Sequence, residues 1–111
     1  MSVTNKVLIP SKQMEAVQTT QYTAPTTSRA VIDMFTATNT SGSIATISVN
    51  LVAVSDTAST SNLIVDAVNI GVGETYNFPE LVGHYLEAGG LISTIGTASA
   101  LTIRSSGRVI S

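Results

Sequence analysis

Alternation of apolar and polar side chains is clearest in residues 44–54, which predict a half-buried β-strand. One side of this segment carries an apolar residue at every second position: Ala45, Ile47, Val49, Leu51 and Ala53. Successive side chains of an extended chain point to opposite faces, so this side is predicted to lie in the core. Residues 30–40 form another apolar, threonine-rich run, and residues 40–43 supply turn chemistry between the two runs. Together they predict a β-hairpin.

Further short runs with strand character follow along the chain, separated by Gly, Ser, Thr and Pro clusters. They cover residues 17–24, 62–70, 75–78, 91–96, 100–104 and 108–111, with a turn at 105–107. Residues 79–90 are predicted to form an ordered corner that starts with a single helical turn at Pro79. About eight strands with almost no helix predict an all-β fold, an antiparallel sandwich or barrel.

The first 16 residues lack a clear period and are predicted to form an extended N-terminal arm, while residues 17–111 form a single β-sandwich domain. Within the arm, Val7, Leu8 and Ile9 form an apolar cluster that Pro10 closes. Three adjacent apolar residues give the segment a reason to be held against something, and we expect them to contact a neighbouring subunit. A frayed terminus and a plain first strand are the alternatives.

Composition predicts a chain that associates with other proteins. Only 11% of the 111 residues are charged and the net charge is −2, while the mean hydropathy is +0.35. Surface charge normally helps to keep proteins monomeric, so a poorly charged chain is typical of a subunit. The alternative is that Ser and Thr keep the surface hydrated. Five basic residues without a basic run argue against nucleic acid as a ligand.

The sequence offers little for other classes of function. It contains no cysteine, no apolar run long enough for a membrane span, and no apolar core of a secretory signal. His84 lies near Glu80 and Glu87, but no nucleophile elbow accompanies them, and surface exposure is the preferred interpretation of this histidine. The carboxylates do not cluster and no metal loop is present. We therefore expect no enzyme activity, cofactor, metal or small-molecule substrate.

Aromatic and basic residues remain as candidates for association. Phe35 and Phe78 are predicted to lie inside the sandwich, and Tyr85 near its boundary, where a ring can bury much area at small entropic cost. Arg104 and Arg108 are possible rim contacts to an acidic partner, with a solvated strand face as the alternative. An exposed edge strand is a second route to binding, since its free backbone groups can pair with another chain.

Residues 73–93, GETYNFPELVGHYLEAGGLIS, and residues 100–107, ALTIRSSG, carry a resemblance to a known family. The chain from about Thr19 onward resembles the capsid decoration, or stapling, proteins of epsilon15-like short-tailed bacteriophages. This resemblance implies a jelly-roll sandwich, assembled in the host cytoplasm, on the outside of an HK97-like shell. It also implies a dimer that clamps neighbouring major capsid subunits and stabilises them, with no catalytic residue. A neck or tail subunit and a carbohydrate-binding sandwich for host attachment are the alternatives.

Overall fold

Nine β-strands and one 3₁₀ turn, without an α-helix, make up residues 2–111, the part of the chain that the computed structural model describes. The strands are β1 (Val3–Gln13), β2 (Thr19–Thr23), β3 (Arg29–Asn39), β4 (Ala45–Val52), β5 (Leu63–Ile70), β6 (Thr75–Tyr76), β7 (Tyr85–Leu86), β8 (Leu91–Gly96) and β9 (Leu101–Ile110). The 3₁₀ turn, Thr60–Asn62, precedes β5 and is capped by Ser59.

The strands form two antiparallel sheets that pack as a sandwich. In the β1 sheet the order is β1-β9-β3-β6, with β7 also paired to β3; in the β2 sheet it is β2-β8-β4-β5. Because β6 and β7 pair with opposite ends of β3, they are two halves of one interrupted strand. Counted this way, eight strands alternate between the sheets except at the β4–β5 hairpin, which is the jelly-roll order. The predicted antiparallel sandwich of about eight strands is confirmed.

The core lies between the sheets and follows the alternation of the sequence. In β4, Ala45, Ile47 and Val49 are fully buried, as predicted, whereas Leu51 is half-buried and Ala53, beyond the strand, is exposed. Phe35 and Phe78 are also fully buried, which confirms their predicted place inside. Their rings meet edge to face with centroids 4.8 Å apart, an arrangement that aromatic quadrupoles favour.

The predicted turn at residues 105–107 is wrong, because these residues lie in the middle of β9. This strand pairs with β1 on one side and β3 on the other, so both of its edges are covered by neighbouring strands. The hydroxyl of Ser105 is buried and donates to the carbonyl oxygen of Met34 at 2.7 Å. A methyl group at Gly107 would overlap the carbonyl oxygen of Val31. Small residues stand here because neighbouring backbone comes close.

The segment predicted as an N-terminal arm is corrected to an edge strand of the sandwich. Residues 3–13 form β1 and pair with β9 along most of their length. Register shifts after Val7 and Ile9 interrupt the ladder, and both Leu8 and Ile9 are buried in the core. Burial of two large aliphatic side chains is worth roughly 3–6 kcal/mol, which holds the segment in the sheet. The predicted boundary after residue 16 therefore does not divide an arm from a domain, because β1 shares its core with the strands that follow.

The predicted corner at residues 79–90 contains β7, which the sequence did not indicate. The expected helical turn at Pro79 is a hydrogen-bonded turn, in which the amide of Leu81 donates to the carbonyl oxygen of Phe78 at 3.0 Å. The corner is hydrogen-bonded to β3, since the amide of Gly83 donates to the carbonyl oxygen of Ile32 at 2.7 Å. The corner thus interrupts the strand that β6 and β7 form, and its last residues lead across to β8 in the β2 sheet.

Candidate functional site

The side of the β1 sheet that faces away from the core, called the outer face below, holds four of the predicted interface residues. Cross-strand partners share a face, and so do alternate residues of one strand. Val7 is opposite Ser106, whose other neighbour is Met34. Arg104 and Arg108 lie two residues on either side of Ser106. Tyr85 joins the same face through its pairing with Val31, the partner of Arg108.

Large apolar side chains are exposed on the outer face. The exposed fractions are 54% for Val3, 40% for Val7, 53% for Met34 and 51% for Tyr85. The small Ser106 separates Val7 from Met34, and a shallow groove beside it is lined by Asn5, Val7 and Asp33. Single exposed apolar residues are ordinary, but several on one open sheet face are typical of a contact surface.

Arginine side chains accompany these apolar groups. The Nε of Arg108 donates to Oδ2 of Asp33 at 3.1 Å, and its Nη2 donates to Oδ1 of Asp33 at 3.0 Å. This forked hydrogen bond to the carboxylate raises the pKa of Arg108 and fixes the guanidinium plane. Arg104 donates to the hydroxyl of Ser11 at 3.3 Å, and the guanidinium of Arg29 lies 5.9 Å from the centre of the Tyr85 ring. Neither Arg104 nor Arg29 forms an ion pair among the described residues.

Charge is distributed unevenly between the two sheets. All five basic residues lie on β1, β3 and β9: Lys6, Lys12, Arg29, Arg104 and Arg108. The same three strands carry one acidic residue, Asp33, which leaves them a formal charge of five minus one, or +4. The other six acidic residues lie elsewhere, and one of them, Glu15, pairs with Lys12 at 2.9 Å. The β1 sheet is therefore positively charged, although the chain as a whole has a net charge of −2.

The outward side of the β2 sheet differs, because the β4–β5 connection covers part of it. Asn50 and Ser93 alternate with inward residues there, yet only 4% and 3% of their surfaces are exposed. The amide of Asn50 donates to the carbonyl oxygen of Ser59 at 2.9 Å, and Gln18 donates to the hydroxyl of Ser93 at 2.7 Å. These polar groups are bonded within the chain, so this part of the β2 sheet is closed, although Ile95 on the same side is 36% exposed.

Leu8 and Ile9 are not part of the outer face. Both side chains are buried between the sheets, so in this structure they are not available to a neighbouring subunit. The structure adds Val3, Arg29 and Met34, which the sequence interpretation did not select. Period two links Val3 to Val7 and could have indicated the first of them. Met34 is exposed because the register of β3 shifts between Ile32 and Met34, and single-strand alternation does not show such a shift.

Other classes of site find no support in the described residues. Within residues 2–111 no group of three or more His, Asp or Glu side chains could hold a metal ion. His84 is exposed, as predicted, in the corner before β7. Over the same residues, no helix has the length and apolar character that crossing a bilayer would require.

Comparisons with known proteins give one similar structure. No protein-family model matches the chain, and no curated protein matches it. The chain is similar to a chain in the crystal structure of the T13 viral particle of IBDV, with a TM-score of 0.48 and 12% sequence identity. The similarity covers 97% of this chain and 30% of that chain, so this protein spans less than a third of the length of its structural neighbour.

Proposed function

We propose that this chain is a structural virion protein that binds the outside of an HK97-like bacteriophage shell and staples neighbouring major capsid subunits. The observation that carries the proposal is the outer face, where Val3, Val7, Met34 and Tyr85 are exposed beside arginines. The resemblance of residues 73–93 and 100–107 to phage decoration proteins supplies the class of partner. In this role the chain acts as a dimer on the virion surface and is assembled in the host cytoplasm.

The mechanism is binding without chemistry. A protein that binds the assembled shell and not its separate subunits stabilises the shell through mass action, by an amount that grows with occupancy. Apolar side chains supply contact area at the centre of such a surface, and Arg29 and Arg104 suit carboxylates on the facing subunit. Neither nucleic acid, membrane nor a small molecule is part of the proposal.

Met34→Asp is expected to weaken binding to undecorated shells at least about tenfold, which corresponds to about 1.4 kcal/mol. The substitution replaces an exposed apolar side chain at the centre of the outer face by a charge opposite to that of the neighbouring arginines. Purified protein would be mixed with undecorated shells over a concentration series, and bound protein would be measured after sedimentation. Deleting residues 2–10 is a poorer test, because the deletion also removes the buried Leu8 and Ile9.

Val72→Asp is the matched control, because Val72 is similarly exposed, at 58%, in the turn between β5 and β6. It should leave the binding curve unchanged. Equal loss for both variants, or no binding by the wild-type chain, would contradict the proposal.

The number of copies in purified virions distinguishes a shell protein from a neck or tail subunit. A number that follows the count of shell subunits supports a decoration protein, whereas a single ring of copies indicates a neck or tail subunit.

A further inference from the structure

The first half of β1 is an open sheet edge. β1 is the last strand of its sheet, and among the described residues its other side has no strand neighbour. Edge strands are usually protected by prolines, bulges or charges, since free backbone groups can pair with another chain. Here the second half of β1 has this protection: two register shifts lie between Val7 and Lys12, and Pro10 lacks an amide hydrogen. Residues 3–7 keep a regular register with β9.

The hydrogen-bond pattern shows which backbone groups face the open side. Ser2 and Ser111 exchange two backbone hydrogen bonds, each 2.9 Å long. In an antiparallel ladder, bonded and non-bonded pairs alternate. Thr4 and Lys6 therefore bond to β9, whereas the amide and carbonyl groups of Val3, Asn5 and Val7 point away from it.

We infer that two copies of this chain pair through residues 3–7 of β1, antiparallel and related by a twofold axis at Asn5. Val3 then faces Val7 of the partner subunit, Asn5 faces Asn5 of the partner subunit, and Val7 faces Val3 of the partner subunit. All three residues direct their backbone groups outward, so each pair exchanges two hydrogen bonds, which gives three times two, or six, between the subunits. The two β1 sheets become one continuous sheet.

Charge and side-chain matching select this register over its neighbours. An axis at Lys6 would place two lysines directly opposite each other, which is unfavourable. With the axis at Thr4, each Val3 would face Asn5 of the partner subunit. With the axis at Val7, the irregular segment after Val7, which includes Pro10, would have to pair between the subunits. The axis at Asn5 pairs valine with valine twice and places Lys6 opposite a threonine. Pro10 lies beyond the paired segment.

In this pairing, the outer faces of the two copies lie side by side and form one continuous surface. Val3 and Val7 of both copies form its centre, and Met34 and Arg108 of each copy flank it. Cross-strand pairs of β-branched residues stabilise a sheet and also cover the exposed valines. The role of this surface as a bridge between shell subunits rests on the proposed function, whereas the pairing itself can be tested on the isolated protein.

Asn5→Pro is the decisive variant, because it removes one outward amide at the centre of the pairing and leaves the bonds of Thr4 and Lys6 to β9. Proline is tolerated at an edge position whose amide does not bond within the sheet. Sedimentation equilibrium should show a wild-type dimer, and the dimer dissociation constant should rise at least about tenfold in the variant. Asn5→Ala, which keeps the amide, should stay dimeric. Circular dichroism checks that each variant is folded.

Cysteine substitution tests the register even if Asn5→Pro fails to fold, since the chain has no cysteine of its own. Bonded antiparallel partners have Cα atoms about 5.5 Å apart, within the range of a disulfide. Asn5→Cys should therefore form a covalent dimer on mild oxidation. Thr4→Cys should not, because the two Thr4 positions would be offset by two residues along the strand, about 6.6 Å. A wild-type monomer at about 100 μM, far above the dissociation constants of stable dimers, would overturn the inference. So would equal oxidation of both cysteine variants.

Discussion

Phe35→Ala is expected to lower the free energy of unfolding by about 4 kcal/mol, the size typical of deleting a buried aromatic ring. Phe35 has no exposed surface and lies in β3, which pairs with β9, β6 and β7. Its ring meets that of Phe78 at 4.8 Å, and Phe78 in turn meets Tyr76 at 4.8 Å. Because small domains are stable by only about 5–15 kcal/mol, this variant loses a large share of the total. Urea unfolding followed by circular dichroism measures the difference.

Tyr85→Ala is the control for Phe35→Ala, since it also removes an aromatic ring from the β1 sheet but at an exposed position. Loss of its contact with Arg29 should cost at most about 1 kcal/mol. Phe35→Leu, Phe78→Leu and the double variant then measure the ring-to-ring contribution, expected at about 1 kcal/mol beyond the buried area. Similar losses for Phe35→Ala and Tyr85→Ala would mean that Phe35 is not a central core residue.

Strands with strict alternation were predictable because one physical rule acts on them. In β4, apolar residues at every second position face the core, although Leu51 is only half-buried and Ala53, beyond the end of the strand, is exposed. β8 was predicted with the bounds that the structure has, Leu91–Gly96. Its alternating set, Leu91, Ser93 and Ile95, indicated the strand but not the buried face, since Ile92 has no exposed surface and Ile95 is exposed.

Turn chemistry misled the prediction where tertiary packing needed small residues. Ser105, Ser106 and Gly107 are typical of turns, yet they form the centre of β9. Both neighbours of β9 change register beside them, β1 after Val7 and β3 after Ile32. Bulges in partner strands depend on contacts between distant parts of the chain, and propensity within one strand does not contain that information.

The candidate site was predicted in its residue types but not in its geometry. Val7, Tyr85, Arg104 and Arg108 were selected separately, as an apolar cluster, an aromatic and two basic residues. Only the strand order brings them to one face, since β7 and β9 are neighbours of β3 on opposite sides. Leu8 was selected with Val7 for adjacency in sequence, but adjacent residues of a strand point to opposite faces. Alternation alone would have separated them.

Gly107→Ala should reduce stability by about 3 kcal/mol, although Gly-to-Ala substitutions at relaxed positions stabilise proteins by about 0.4–1 kcal/mol. The added methyl group would overlap the carbonyl oxygen of Val31 and lie 3.1 Å from Cδ1 of Leu8. Backbone of a paired strand cannot yield as a flexible side chain does, so β9 must shift against β3. Thermal unfolding should show a melting temperature lower by about 12 °C, at roughly 4 °C per kcal/mol.

Gly42→Ala is the control for the steric overlap at Gly107, because a methyl group at Gly42 meets no atom within 4 Å. Gly42 lies in the turn between β3 and β4, and its backbone is outside the left-handed region. The control should therefore be neutral or more stable by a few tenths of a kcal/mol. If both variants melt at the wild-type temperature, β9 does not approach Val31 as closely as the structure shows. The turn predicted from the composition of residues 105–107 would then be the better interpretation.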